Sequence, residues 1–321
     1  MTIFDPRRLQ LLVELDRRGS VTAVAEALAY SPSAVSQQLT QLEADAGVKL
    51  TEKAGRRLVL TEAGKRFARH GAELRAMLES IVADVESSND NLVATLKLAS
   101  IESILRTVVP TALTSLRDNH PGLRVECQEL EPDDAIAALT TGVIDIALVD
   151  SYTSPFIAAP DSSLVTLRIA TDPILIAIPE QHPLATQESL SLSDLRNEAW
   201  ITPELGSAHT KHQIETCIRY GGFRPDVQHR TNNLGVSLRL VGSGHGVAMI
   251  PRLGITDARG VAYRNIVETD LSRELWVVLR DSATPRPALS ALTTAILQSE
   301  RAASSSLSDR APAARRKRRS T

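Results

Sequence analysis

Apolar residues recur at helical spacing through most of the first 46 residues of the chain. Their period predicts a helix over 6–17, a short helix that begins after Ser20, and a third helix that begins after Ser31 and ends near Gly47. Serine is a preferred N-cap, Pro32 suits the first helical turn, and glycine commonly follows the last one. Two short helices joined by a tight turn predict a helix-turn-helix unit.

Short polar side chains line one face of the third predicted helix. Ser33, Ser36 and Gln37 fall on this face by their spacing, and the opposite face is aliphatic. A helix fits the major groove of B-DNA, which is about 12 Å wide, and there glutamine pairs with adenine while hydroxyls bond phosphates or base edges. Contact with water alone would explain the same face. The residues predicted to contact DNA from the two helices are Thr22, Ser31, Ser33, Ser36, Gln37 and Thr40.

A basic hairpin is predicted directly after these helices. Residues 48–51 and 57–60 have the composition of two short strands, and the segment between them is polar. Its cations Lys53, Arg56 and Arg57 suit phosphates or a narrow minor groove. The hairpin is therefore interpreted as a wing that contacts DNA.

A long helix capped by Thr61 is predicted next, as far as residue 91. Apolar residues follow it at intervals of about 3.5, which is typical of a coiled-coil seam and predicts a dimer. An amphipathic helix packed on its own domain is the alternative. The predicted seam consists of Phe67, Gly71, Leu74, Met77 or Leu78, Ile81 and Val85.

Residues 19–67 resemble the winged helix-turn-helix of LysR-type transcriptional regulators. At Thr51 that family usually has an aromatic residue or leucine, so we expect threonine to loosen the packing beneath the wing. The rest of the chain resembles the family more loosely, through the order of its elements. The matching features are Ala25, Ser31, Val35-Ser36, Leu42-Glu43, Gly47-Val48, Arg57 and Leu60-Thr61-Glu62-Ala63-Gly64.

Beyond a polar break at 87–91, segments of strand and helix pattern alternate, which predicts an α/β body with a largely parallel sheet. The order of elements suggests two lobes, and the first resembles the start of a periplasmic-binding-protein fold. Two crossings between the lobes would leave a cleft, with a hinge near Leu167 and Val267. The predicted strands are 96–100, 123–128, 144–149, 174–178, 200–201, 227–231, 247–250 and 275–279, and the predicted helices are 102–119, 132–141, 208–220, 234–241 and 287–298.

The predicted fold class is therefore an α+β multidomain protein. An N-terminal winged helix-turn-helix and a linker helix precede a two-lobed α/β effector domain that is periplasmic-binding-protein-like. The predicted boundaries are 1–61 for the DNA-binding domain, 62–91 for the linker helix, 92–300 for the effector domain and 301–321 for a disordered basic tail. Within the effector domain, lobe I spans about 92–167 and 267–300, and lobe II spans about 168–266.

Three loops that precede predicted helices should line the cleft. Free N–H groups at helix N-termini favour carboxylates and other anions, although plain helix capping explains each position equally well. Glu102 would complement the dipole of its own helix, or else bind the amine of an amino-acid-like effector. The resemblance implies that such positions hold the effector. The candidate residues are Ser100, Ile101, Glu102, Ser103, Thr202, Ser207, His209, Asn232 and Asn233.

Charge is distributed unevenly along the chain, although its formal net value is only −2. Residues 1–70 carry a net +3, residues 71–300 a net −11 and residues 301–321 a net +6. Basic ends around an acidic body suggest a polyanionic partner for the ends alone. The basic tail would add non-specific DNA affinity or serve only to solubilise the chain.

The composition of the chain also indicates the cellular compartment in which it is expected. Only two cysteines are present, which excludes a disulfide scaffold and fits a reducing cytosol. We expect no signal peptide, because Asp5, Arg7 and Arg8 interrupt the first apolar residues. No apolar run approaches the roughly 18 residues of a membrane span, so we expect no membrane partner. The predicted location is cytoplasmic and nucleoid-associated.

Several other chemistries have little support in the sequence. The histidines lack metal-site spacing, so no metal site is predicted, and no catalytic motif appears. The segment 242–246 fits a helix end rather than a dinucleotide-binding loop. Cys127 falls on the apolar side of its predicted strand, so we expect it in the core. Some LysR-type proteins sense peroxide with a cysteine pair, but neither Cys127 nor Cys217 follows the corresponding loop.

The sequence thus predicts a LysR-type transcriptional regulator and not an enzyme. Its expected partners are double-stranded DNA with a dyad-symmetric site, RNA polymerase and a small-molecule effector. No cofactor is expected beyond that co-inducer or co-repressor. The chain is expected to form homodimers that pair into a homotetramer. The alternative is a cytosolic solute-binding or enzymatic α/β protein with an accessory helical head.

Overall fold

Three helices and a two-stranded hairpin form the head of the molecule in a computed structural model. Ser20 and Ser31 each accept a hydrogen bond at a helix start, from the N–H groups of Ala23 and Ala34, and Gly47 is left-handed at the end of the third helix. The model describes residues 5–28, 30–54, 57–88, 92–151, 163–204, 208–256, 258–268 and 271–308. The head comprises α1 (Pro6–Arg18), α2 (Val21–Ala27), α3 (Pro32–Ala46), β1 (Thr51–Ala54) and β2 (Arg57–Leu60).

The first strand of the wing begins three residues later than predicted. Thr51 pairs with Leu60, and the ladder continues to Ala54 opposite Arg57. Leu50 does not extend the strand, because it is fully buried and its N–H donates to a side-chain carboxylate of α3. The hairpin tip at residues 55–56 lies outside the described residues.

The linker helix α4 (Glu62–Ser87) begins at Thr61, whose hydroxyl accepts from the N–H of Gly64. The first two predicted seam residues lie against the head instead. Phe67 packs on the head core, and a Cβ on Gly71 would lie 3.2 Å from Val13. The later seam positions are exposed, so any seam starts near residue 74. These exposed apolar residues are Leu74, Met77, Leu78, Ile81, Val82 and Val85.

Ion pairs fasten the other side of α4 to the first lobe of the body. Arg280 pairs with Glu79, and Arg286 Nη2 lies 2.7 Å from Glu86 Oε1. Both guanidinium groups also face Asp145, at 3.7 Å and 2.9 Å respectively. The shared carboxylate ties the two pairs into one partly buried network, so the linker helix is held along two turns.

Lobe I is a mixed sheet with helices on its faces. β3 pairs in parallel with β4 and β5, and β12 is antiparallel beside β5. Its helices α5 and α9 pack together over an aliphatic core. The elements are β3 (Ala94–Ser100), α5 (Glu102–Asn119), β4 (Leu123–Glu129), α6 (Pro132–Thr141), β5 (Ile146–Asp150), β12 (Ser272–Arg280) and α9 (Pro287–Ser308).

One long strand, β6 (Leu164–Pro179), belongs to both lobes. Nine of its first ten residues pair with β12, with a register shift at Ile169, and residues from Ile174 onward pair with lobe II strands. Leu167 lies opposite Val277 inside lobe I, so the predicted hinge at Leu167 and the lobe boundary at 168 are wrong. The outward crossing lies at Pro173–Ile174, and the return crossing lies between Ile266 and the start of β12 at Ser272.

Lobe II contains the far part of the large sheet, reached through β6, and a separate two-stranded sheet, with Trp200 buried in its core. The helix predicted to reach residue 220 ends at Thr216, and a π-helical turn, Cys217–Gly221, follows it. Burial raises the pKa of the Cys217 thiol to about 12. The elements are β7 (Ser189–Leu190), β8 (Ala199–Thr202), α7 (Ala208–Thr216), β9 (Asp226–Arg230), α8 (Leu234–Gly242), β10 (Ala248–Pro251) and β11 (Val261–Ile266).

Two further predictions are wrong. Cys127 is exposed near the end of the edge strand β4, because the face that alternation assigned to the core is only partly covered there. The helix α9 continues to Ser308, so residues 301–308 are not the disordered segment that was predicted. Residues 309–321 lie outside the described residues. No described helix is long and apolar enough to span a bilayer.

Candidate nucleic-acid interface and interlobe cleft

The outer face of α3 consists of the predicted polar residues. Ser33, Ser36, Gln37 and Thr40 are all exposed, whereas the inner face is buried. Two hydroxyls on this face bond the backbone of their own helix, since Ser36 Oγ donates to the carbonyl of Pro32 and Thr40 Oγ1 to that of Ser36. These bonds leave the hydroxyl lone pairs accessible as acceptors from outside.

Gln37 differs from its neighbours on the same face. Its amide is exposed and has no side-chain partner among the described residues, so both its donor and its acceptor face outward. A free amide can form the bidentate pair with adenine that sequence readout requires. Gln37 is accordingly the strongest candidate for base recognition.

The remaining residues predicted to contact DNA differ in how exposed their side chains are and in whether the structure describes them. Ser31 caps α3 and shares a hydrogen bond of 2.9 Å with Ser33, so its hydroxyl is already engaged within the helix start. Thr22 on α2 and Lys53 on β1 are exposed. Arg57 lies on β2, and Arg56 is outside the described residues.

A buried carboxylate connects α3 to the wing. Glu43 Oε1 accepts hydrogen bonds from the N–H groups of Leu50 and Thr51 and from the Thr51 hydroxyl, and Oε2 lies 2.7 Å from Lys49 Nζ. Burial alone would raise the pKa of Glu43, but these hydrogen bonds, led by that of Lys49, hold it below its usual value. Thr51 is therefore a specific hydrogen-bond partner of Glu43, a role that the sequence analysis did not assign to it.

In the body, the first predicted cleft loop has a different role from the one expected. Ser100 is fully buried in lobe I, and its hydroxyl donates to the carbonyl of Leu148 at 3.0 Å. The N-cap of α5 is Ile101, which makes no side-chain capping bond and packs into the lobe I core. Because strand β3 extends to Ser100, the helix starts one residue too late for Ser100 to cap it. Neither side chain is available to a ligand.

Glu102 reaches across the cleft. Its Oε2 accepts a hydrogen bond of 2.8 Å from the N–H of Leu234, the first residue of α8 in lobe II. Arg106 lies 3.6 Å from the other carboxylate oxygen and also donates to the carbonyl of Gly254. The carboxylate thus occupies a helix N-terminus of the opposite lobe instead of binding an external amine.

The other predicted positions in lobe II mostly support their own backbone. Thr202 is buried and donates to the carbonyl of Pro203. Asn232 accepts from the N–H of Glu204, and Asn233 caps α8 through the N–H of Val236. Asn233 therefore serves as the N-cap of α8. Ser207 lies outside the described residues.

A buried ionic cluster lies where the two lobes meet. Arg273 on β12 binds Asp172 Oδ2 through Nε at 3.0 Å and Nη2 at 2.8 Å, and Asp150 Oδ2 through Nη1 at 2.9 Å. Its Nη2 also donates to the hydroxyl of Ser103. Burial alone would lower the pKa of Arg273, but Asp172 and Asp150 raise it above its usual value. Arg273 is therefore a compensated buried cation.

His209 links this cluster to lobe II. Its Nε2 lies 2.9 Å from Asp150 Oδ2, and its Nδ1 lies 3.8 Å from Glu131 Oε2 at the start of α6. Both carboxylates belong to lobe I, whereas His209 is on α7. Of the residues predicted for the cleft, Ser103, Glu102 and His209 are the three that the structure brings to the junction of the lobes.

A cavity that is partly open to solvent lies beside this cluster. One side is polar, and the rest of the wall is apolar. Burial lowers the pKa of the His212 imidazole, which lies in the polar part. The lining residues are Ile174, His209, His212, Gln213, Met249, Pro251, Leu271 and Arg273.

The sequence predictions missed most of this site. Asp150 follows a parallel strand at its carboxyl end, which is a usual place for binding residues, and that signal could have identified it. Arg273 and Asp172 are 101 residues apart, so no local pattern relates them. His212 and Gln213 follow His209 on the same helix and could have been proposed with it.

Two family models match the chain. Residues 6–65 match "Bacterial regulatory helix-turn-helix protein, lysR family", and residues 89–301 match "LysR substrate binding domain". The first range contains the head and the start of α4. The second contains both lobes and the cavity between them.

Full-length relatives and solved structures agree with these models. The chain is 26% identical over 279 residues to a "Probable hydrogen peroxide-inducible genes activator" of Mycobacterium avium, covering 87% of this chain and 84% of the relative. It is 27% identical over 245 residues to the "Transcriptional dual regulator GltC" of Bacillus subtilis, covering 76% and 80%. A full-length OxyR variant from Pseudomonas aeruginosa is similar in fold, with a TM-score of 0.64, 18% identity and coverage of 92% and 95%. A full-length CbnR in complex with its target DNA gives a TM-score of 0.54 at 19% identity, covering 92% and 100%.

Proposed function

Because this chain belongs to the LysR family of DNA-binding transcriptional regulators, we propose that α3 reads its operator and that a small molecule bound between the lobes controls it. The exposed polar face of α3 carries the first part of this proposal. Gln37 is the residue there whose amide is unengaged among the described residues. The wing, with Lys53, Arg56 and Arg57, would contact the phosphate backbone beside it.

The cavity beside Arg273 supports the second part. Arg273 of lobe I and several residues of lobe II line it, and His209 in its wall also contacts Asp150 of lobe I. A bound molecule would therefore favour one separation of the lobes over another. A ligand shifts such an equilibrium by the difference between its affinities for the two arrangements. The effector is therefore proposed to act as a co-inducer or co-repressor without chemical turnover.

The exposed apolar stripe of α4 supports a dimer. Leu74, Met77, Ile81 and Val85 recur on one side of the helix and are all exposed. A second copy would bury them in a two-helix seam and place two heads on a dyad-symmetric site. The proposed function also includes pairing of two dimers into a homotetramer and contact with RNA polymerase beside the promoter. The proposed location is the nucleoid in the cytoplasm.

Affinity selection tests the DNA assignment directly. Genomic fragments retained by the purified full-length protein are sequenced, and the recovered site is compared with a scrambled duplex of equal length. Gln37→Ala should weaken binding to the recovered site by about 1–3 kcal/mol, since a bidentate base contact is lost, and should leave the scrambled duplex almost unchanged. Equal losses on both duplexes would show that Gln37 does not read sequence.

A further inference from the structure

The chemistry of the cavity beside Arg273 restricts what it can hold. We propose that the effector is a small neutral or cationic molecule with an apolar body that donates a hydrogen bond to Gln213, and that it is not a carboxylate. This inference rests on the proposed function, because it assigns a chemical class to the same cleft.

Among the lining residues that the structure describes, none is an uncompensated cation. Arg273 is the one guanidinium among them, and two carboxylates already bind it, Asp172 at 2.8 Å and Asp150 at 2.9 Å. The charge of Arg273 is therefore already compensated by carboxylates of the chain itself. An entering carboxylate would have to displace one of these aspartates or be buried unpaired.

The histidines do not change that balance. Burial lowers the pKa of His212, so its imidazole is neutral at pH 7. His209 faces Asp150 at 2.9 Å and Glu131 at 3.8 Å, so its imidazole is directed at carboxylates of lobe I.

The helix N-terminus expected to bind an anion across the cleft is already occupied. The N–H of Leu234 donates to Glu102, and that of Val236 donates to Asn233. Both bonds are made by side chains of the chain itself. An anionic effector would have to compete with the carboxylate of Glu102, which is tethered in place.

Gln213, a side chain of the cavity wall, has an unused acceptor among the described residues. Gln213 Oε1 is buried and has no donor among the described residues, while its Nε2 donates weakly to the carbonyl of Met249 at 3.4 Å. A buried acceptor left without a donor is costly, so a ligand N–H or O–H at this point gains affinity. The rest of the wall is formed by Ile174, Met249, Pro251 and Leu271, which suit an apolar body.

Three probes of nearly equal size separate the chemical classes, and calorimetry on the full-length protein compares them. Benzamide is neutral and donates a hydrogen bond, benzylammonium is cationic, and benzoate is the anion isosteric with benzamide. We expect benzamide or benzylammonium to bind about tenfold or more tightly than benzoate, because only they supply the missing donor. Gln213→Leu should abolish that preference, and Gln128→Leu, at an exposed site on β4, should leave it intact.

Binding of benzoate as tight as that of benzamide would overturn the proposal, and so would unchanged benzamide binding in the Gln213→Leu protein. Failure of all three probes to bind would count against it equally. Specific DNA binding by the same preparation tests the proposed regulator independently. A wrong effector class is thus distinguishable from a wrong function.

Discussion

The carboxylate of Glu102 in lobe I accepts a hydrogen bond of 2.8 Å from the backbone N–H of Leu234 in lobe II. This bond joins the first turn of α5 to the first turn of α8, across the gap between the lobes. A carboxylate at a helix N-terminus is favoured by both the free N–H and the helix dipole. The chain therefore holds its own cleft closed at this point without a ligand.

Replacement of Glu102 should loosen the contact between the lobes. Glu102→Ala removes the capping carboxylate of α8, which should cost about 0.5–2 kcal/mol in the free energy of unfolding. Small-angle scattering should show a larger radius of gyration for the full-length variant. Glu129→Ala, at an exposed position on β4, is the control and should change neither quantity. A radius identical to that of the wild type would mean that other contacts keep the lobes together.

Arg273 and Arg168 provide a matched pair of arginines near the crossing strands. Arg273→Met would leave Asp150 and Asp172 buried without their cation and should cost about 3–5 kcal/mol in chemical denaturation. Arg168 lies 3.0 Å from Glu274, but both side chains are exposed, so Arg168→Met should cost no more than about 1 kcal/mol. Equal losses in the two variants would contradict the view that the Arg273 cluster is a compensated buried site.

Glu43 should make the stability of the head depend on pH. Its pKa is lowered in the folded head, so its contribution is fully present above the unfolded value of about 4.5 and disappears as the pH falls through the lower folded value. Glu43→Gln should therefore be less stable than the wild type by about 1–3 kcal/mol at pH 7, because charged hydrogen bonds are lost. Urea titrations of both proteins should converge below pH 4.5. A difference that stays constant down to pH 3 would show that the charge of Glu43 is not the cause.

The stripe on α4 can be tested by adding one charge. Leu74→Asp would place a carboxylate in the proposed seam, where burial without a partner is unfavourable, and the dimer should dissociate. Ser80→Asp adds the same charge at an exposed site outside the stripe and should leave the dimer intact. Sedimentation of the full-length proteins measures both. A dimeric Leu74→Asp protein would place the interface elsewhere.

Helix boundaries followed from the sequence wherever a local signal fixed them. The predicted bounds of 102–119 and 132–141 coincide with α5 and α6, and left-handed Gly142 ends the second of them. The caps at Ser31 and Thr61 were identified on the same grounds.

Features that depend on distant partners were not predictable in this way. Asp172 and Pro173 interrupt the apolar run before Ile174, so half of β6 lacked a strand pattern, although β12 pairs with it along nine residues. Ser100 was correctly placed at the end of a predicted strand, but the sequence does not show that its hydroxyl bonds the carbonyl of Leu148 on a neighbouring strand instead of capping α5. Arg273 and Asp150 are 123 residues apart, and only the folded sheet brings them to 2.9 Å.

The two ion pairs of α4, Arg280 with Glu79 and Arg286 with Glu86, have a consequence for any assembly on DNA. They are seven residues apart and fix both the tilt and the axial rotation of the helix relative to lobe I. In the proposed dimer, two heads can change their separation only if both lobe I units turn with them. The helical phase between two operator half-sites would then determine how the two lobe I units are oriented relative to each other.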